Sequence, residues 1–170
     1  MPQRERIRLA KEKDIPIMGD IIAESWKTAY RGIVEDAYLD ELRGERWGDF
    51  LREGMENGAL TCLLLLCEEQ AVGVSVARAS RFTAYLGDAE LVSLYLLPSY
   101  MGKGLGGKLL LSAMNEMRRQ GYVHCVLDVL CENARAISFY ERKGLYKTGE
   151  QIEAVLGEQK LPCHIMRGKL

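Results

Sequence analysis

Four glycines, Gly102, Gly104, Gly106 and Gly107, fall within six residues at the threshold of a segment that otherwise patterns as a good helix. Each costs about 0.5–1 kcal/mol relative to alanine once the chain is helical. A chain accepts that cost where its backbone must turn oddly, or where something must touch the backbone itself. Successive main-chain N–H groups leading into a helix start form a ready anion site, because unsatisfied donors point outward and the helix dipole favours negative charge. Glycines let phosphate oxygens approach without meeting a Cβ, so the stretch predicts a phosphate or pyrophosphate ligand.

The flanking segments place this loop in a mixed sheet. Residues 90–97 read as a strand that stops at Pro98, which has no N–H for a ladder. Residues 105–120 read as a helix with Leu109, Leu110, Met114 and Met117 inward, closed by Gly121. Upstream, residues 7–10 suggest a first strand, and Asp14 a cap for a helix carrying Ile17, Ile21, Ile22, Trp26 and Tyr30. A second helix is expected from Glu35 to about Glu53, broken by Asn57-Gly58. Residues 60–67 and 71–77 read as a hairpin over a short polar turn. Downstream come a buried strand at 123–129, a helix at 133–143 closed by Gly144, and a strand pair at 145–150 and 160–166. The order predicts an α/β (α+β) domain, with a mostly antiparallel sheet of six to seven strands and about four helices.

At 170 residues the chain suits one domain, 1–170. A net charge of −1 gives no general attraction to nucleic acid or acidic membranes. Five cysteines without a C-x-x-C pair argue for a reducing cytoplasm over a disulfide framework. The N-terminal stretch has no apolar run of signal type, and the apolar stretch 63–66 is too short to span a bilayer. A cytoplasmic protein is therefore expected. Neither His124 nor His164 sits in a zinc-type spacing, so no metal is expected.

One rival reading uses the same glycines. G102-K103-G104-L105-G106-G107 satisfies G-x-G-x-x-G, and Asp128 ends the next strand, where a dinucleotide fold wants its ribose acid. Against it, the motif stands late in a short chain, and residues 98–101 separate strand from glycine where that fold needs a tight turn. The P-loop pattern fails because Leu109, not Ser or Thr, follows Lys108.

A longer pattern accounts for more of the chain. A-E-L-V-S-L-Y-L-L-P-S-Y-M-G-K-G-L-G-G-K-L-L, residues 89–110, resembles the central motif of the GNAT superfamily of acyl-CoA-dependent N-acetyltransferases. N-A-R-A-I-S-F-Y-E-R-K-G-L, residues 133–145, resembles that family's next motif, N-x-x-A-x-x-F-Y-x-x-x-G-F. The two lie one strand apart, as in the family. W26-K27-T28-A29-Y30-R31-G32 is similar to the N-terminal segment of many bacterial members.

The resemblance implies central strands that splay into a V-shaped cleft for acetyl-CoA. Leu94, Tyr95 and Leu96 would offer main chain to the pantetheine arm, with the Leu96 N–H polarising the thioester carbonyl. Met101, Gly102, Lys103, Gly104, Leu105, Gly106 and Gly107 would meet the pyrophosphate. Met101 departs from the usual Arg or Gln, a loss that Lys103 or Lys108 could offset. Tyr140 would protonate the departing thiolate, and Asn133 would cap its helix or contact the cofactor. The general base that deprotonates the amine is Glu90 or Asp128, with Glu90 slightly favoured. Trp26 and Tyr30 would pack helices or wall the acceptor pocket. Cys131 offers a conceivable thiol relay, but no histidine is fixed beside it. The acceptor is a primary amine, either a small molecule or a protein or peptide amine. A non-catalytic CoA-binding regulatory module is the alternative, and a homodimer through the C-terminal strands is a family-level expectation.

Overall fold

The computed structural model describes residues 4–170. β1 (Glu5–Leu9) precedes α1 (Ile15–Ala29), α2 (Asp36–Glu41) and α3 (Gly48–Glu56). The strands β2 (Thr61–Cys67), β3 (Gln70–Ala79) and β4 (Ala89–Leu96) follow. Then come α4 (Leu105–Arg119), β5 (His124–Leu130), α5 (Ala134–Arg142) and the hairpin of β6 (Tyr146–Leu156) and β7 (Gln159–Lys169). The strands form one seven-stranded sheet in the order β1-β2-β3-β4-β5-β7-β6. Among the described residues only β4 and β5 pair in parallel. A single parallel pair leaves no room for the dinucleotide fold that the glycine spacing also allowed.

Helices cover both faces of the sheet, which is why residues 62–67 are apolar throughout rather than alternating. Leu63 and Leu65 turn to one face and meet Leu109, Leu110 and Met117 of α4. Leu64 and Leu66 turn to the other and meet Met18, Ile21 and Ile22 of α1 and Leu51 of α3. Each such side chain, fully buried, contributes about 1.5–3 kcal/mol.

Three expectations require correction. The helix expected over 35–53 is two helices, because Leu42 turns extended and a 3-10 turn, Gly44–Trp47, intervenes. The break lets Gly44 lie main chain to main chain on Gly19 of α1, where a Cβ on Gly44 would come 2.7 Å from the Asp20 nitrogen. Helix packing through ordinary side chains keeps axes 8–10 Å apart and could not allow that approach. Asp14 stands at the N-cap of α1 but its side chain makes no capping bond there; the carboxylate takes hydrogen bonds from Arg8 at 2.7 and 3.0 Å and from the Lys11 N–H at 2.7 Å. The closing strands also run longer than 145–150 and 160–166. The edge strand β6 carries a half-exposed polar pattern that reads as loop, with a bulge at left-handed Gly149.

The feature that builds the site is where β4 leaves β5. The two strands register only at Ala89 with Cys125 and Glu90 with Val126. On the β3 side, Ala77 faces Leu91 and Val76 faces Ser93, so Val92 is an extra residue in β4. A bulge bends its strand and adds twist. Beyond it β4 stays with β3 while β5 stays with β7, and the sheet opens into a V.

Candidate active site

The V holds a cleft of about 750 Å³ bounded by β4, β5, the glycine run and α5. One wall is bare main chain. The Leu97 N–H donates to the Val72 carbonyl at 2.8 Å, so strand alternation turns the Leu96 N–H and C=O away from β3. The Leu96 C=O accepts from Ser25 Oγ at 2.7 Å, which leaves the Leu96 N–H toward the open side. Leu94, Tyr95 and Leu96 all line the cleft.

At the head of the V, Gly102 (φ 75°) and Gly104 (φ 78°) take left-handed conformations that side chains resist, and α4 starts directly after them. The N–H groups of its first turn have no intrahelical partner. Met101, Gly102, Gly104, Gly106 and Gly107 line the cleft, whereas the Leu105 side chain belongs to the core. Neither lysine offered as a substitute at position 101 lines it. Lys108 pairs with Glu5 of β1, and Lys103 lies over the Tyr100 ring at 5.2 Å. Lys143, at the end of α5, lines the cleft instead. Its Nζ rests 2.9 Å from where a Cβ on Gly107 would stand, which sets the ammonium against the glycine run. Arg135 and Arg142, near the two ends of α5, also line the cleft.

Asn133 caps α5, its Oδ1 accepting from the Ala136 N–H at 3.2 Å, and it also borders the cleft. Seven residues later Tyr140 reaches the cleft while its ring packs edge-on against Phe139 at 5.3 Å. Desolvation drives the Tyr140 phenol far above its ordinary value, so it stays protonated. Across the cleft Trp26, Tyr30 and Tyr95 form an aromatic wall, with Trp26 edge-on to Tyr30 at 5.0 Å and the Tyr30 and Tyr95 hydroxyls 2.9 Å apart. Burial raises both phenols.

The two candidate bases stand in different surroundings. Glu90 is fully buried and lies outside the cleft lining. Its carboxylate accepts from Arg78 Nε and Nη2, from the Arg81 N–H and from Arg81 Nε, at 3.0–3.3 Å. Asp128 lines the cleft, and its side chain is 25% exposed. Desolvation raises it above the ordinary carboxylate value, against the pull of Arg81. Cys131 is not on the cleft wall. Sequence reasoning missed Arg81 and Lys143. Each is one basic residue in a polar stretch, and no local spacing marks either.

Comparison with known proteins agrees with this geometry. The sequence profile of the acetyltransferase (GNAT) family matches residues 20–145. A spermidine N(1)-acetyltransferase from Thermoplasma acidophilum is 29% identical over 152 residues, covering 86% of this chain and 88% of the relative. Among solved structures, the PaiA N-acetyltransferase of Thermoplasma acidophilum in complex with coenzyme A superposes with a TM-score of 0.79 at 25% identity, over 98% of this chain and 99% of that one. A ribosomal-protein-alanine N-acetyltransferase from Brucella melitensis shares the fold, with a TM-score of 0.76 at 21% identity over 97% and 99% of the two chains. With both motifs folded around one splayed cleft and the profile spanning most of the chain, this protein belongs to the acetyltransferase (GNAT) family, the acyl-CoA-dependent N-acetyltransferases.

Proposed function

We propose that this chain transfers an acetyl group from acetyl-CoA to a primary amine of a small molecule, by direct attack in a ternary complex. The observation that carries the reading is the parting of β4 from β5 after two registered pairs, with a left-handed glycine loop at its head. The residues present suit the cofactor: an unpaired strand edge for an amide-bearing arm, and first-turn N–H groups with Lys143 for a pyrophosphate. Acetyl-CoA, when bound, supplies a thioester as the acyl electrophile.

The Leu96 N–H polarises the acyl carbonyl from the edge of β4. Asp128 accepts a proton from the incoming ammonium, directly or through one water, and leaves a neutral amine to attack. A base that spends four hydrogen bonds on arginines has no free lone pair aimed at the cleft, so Asp128 is assigned that role over Glu90. Tyr140 gives its phenolic proton to the sulfur that departs. Trp26, Tyr30 and Tyr95 wall the acceptor side with flat apolar faces and hydroxyls, which suits an extended aliphatic amine. The Thermoplasma relative's name, spermidine N(1)-acetyltransferase, supports a small acceptor of that kind.

The test is thermal shift with acetyl-CoA, CoA and NAD, followed by an amine panel of polyamines, amino acids and N-terminal peptides. Stabilisation by both CoA species and not by NAD, with acetylation of small amines, is the expected result. Stabilisation without transfer to any amine would return the chain to a regulatory CoA-binding module.

A further inference from the structure

We propose that Arg81 is a positioning residue for the reaction: its guanidinium ties the buried carboxylate of Glu90 to Asp128 and holds Asp128 at the cleft wall. This rests on the assignment of Asp128 as the base. Glu90 registers with Val126, two residues before Asp128, so the strand period puts both acids on one face of the sheet. Arg81 lies in the connection between β3 and β4 and reaches over that face. Its Nε meets Glu90 Oε1 at 3.0 Å, its own N–H meets Glu90 Oε2 at 3.1 Å, and its Nη2 stands 3.5 Å from Asp128 Oδ1.

The connection is itself pinned. The Ser80 N–H donates to the Asp88 carbonyl at 3.0 Å, and the Asp88 carboxylate holds Arg167 of β7 at 2.6 and 3.1 Å. The Arg81 guanidinium also lies over the Phe82 ring at 5.1 Å. An arginine whose side chain is 54% exposed is ordinarily free to swing, and here one buried acid fixes its root and fork. Glu90 therefore serves as an anchor, not as a proton acceptor. The ionisable groups facing Asp128 are Arg81 and Arg78 from the β3 side, Glu90 and Tyr95 on β4, Tyr30 just past the end of α1, Tyr140 on α5 and Cys163 on β7. Arg81 is the cation closest to it, so removing that cation favours the protonated acid.

The test uses the full chain with carbon-13 in its aspartate carboxyl groups, the Asp128 resonance being assigned from Asp128→Asn. Arg81→Gln moves the Asp128 titration to higher pH. Arg81→Lys, which keeps the charge and gives up the fork, brings it most of the way back. Glu90→Gln, which frees Arg81 from its first partner, moves it lower. The acidic limb of kcat/KM follows in the same directions, so Arg81→Gln loses about tenfold on that side. A role confined to folding would lower the melting temperature and leave the Asp128 titration in place, and that result overturns the inference. Should Arg81→Gln fail to fold, an unmoved titration in both Arg81→Lys and Glu90→Gln overturns it equally. A kinetic limb that persists in Asp128→Asn overturns the base assignment instead, while the resonance still reports Arg81 directly.

Discussion

Replacing Tyr140 by phenylalanine removes one oxygen from the cleft and nothing that α5 needs to pack. The ring keeps its edge-on contact with Phe139, the helix keeps its Asn133 cap, and the Tyr140 hydroxyl has no hydrogen-bond partner among the described residues. Folding stability should therefore move by no more than about 0.5 kcal/mol. Catalysis should suffer far more. A positioned general acid contributes about 10²–10⁴ in rate, or about 2.7–5.5 kcal/mol of transition-state free energy. Burial holds the phenol protonated at neutral pH, so the whole population carries the proton that the leaving sulfur needs. The assay pairs kcat, read as thiol release in the presence of amine, with the CoA dissociation constant from calorimetry. The expected outcome is a kcat lowered at least about a hundredfold with CoA affinity within about twofold of the parent. A kcat loss under about fivefold would refute the acid assignment, and a parallel loss of CoA affinity would recast Tyr140 as a binding residue.

Three further outcomes follow from charges the fold has placed. Lys143→Met should weaken CoA several-fold and leave pantetheine binding unchanged in paired calorimetric titrations, because Lys143 stands at the glycine run and not along the arm. Asp128→Asn should abolish most activity yet raise the melting temperature at pH 7. Desolvation lifts the folded carboxyl above its unfolded value, so the ionised acid destabilises the fold at neutral pH, and the gain should shrink as pH falls toward the ordinary carboxylate range. Asp14 has the opposite sign: its hydrogen bonds with Arg8 hold it down to about 2 from 3.8. The advantage of the parent over Asp14→Asn in denaturant melts should be complete above about pH 4 and vanish as pH falls through about 2.

Several elements were legible because their cause is local. Gly102 and Gly104 stand where the backbone turns left-handed just before a helix, and the residues 97–105 alone require that. Asn133 and Tyr140 lie seven apart on α5, a spacing that helix geometry turns into one face without help from the rest of the chain. The helix expected at 35–53 failed for the converse reason. Its apolar spacing is sound, but contact between Gly44 and Gly19 across two segments outweighs a modest propensity.

The choice between Glu90 and Asp128 shows the same boundary at the site. Both are acids at strand positions in apolar surroundings, and composition cannot rank them. What separates them is that Arg78 and Arg81 arrive from β3 and its following turn onto one acid, while the extra residue at Val92 bends β4 away and leaves the other acid facing the cleft. Lys143 likewise reaches Gly107 only because α5 packs beside the start of α4. By itself the sequence determined the glycine loop, the helix that carries Tyr140, the mixed sheet and the family, since each depends on residues close together along the chain. Which acid faces the cleft, which cations line it and where the sheet opens were decided by register and bulge. Those are properties of strands brought together from distant parts of the chain, and no local pattern records them.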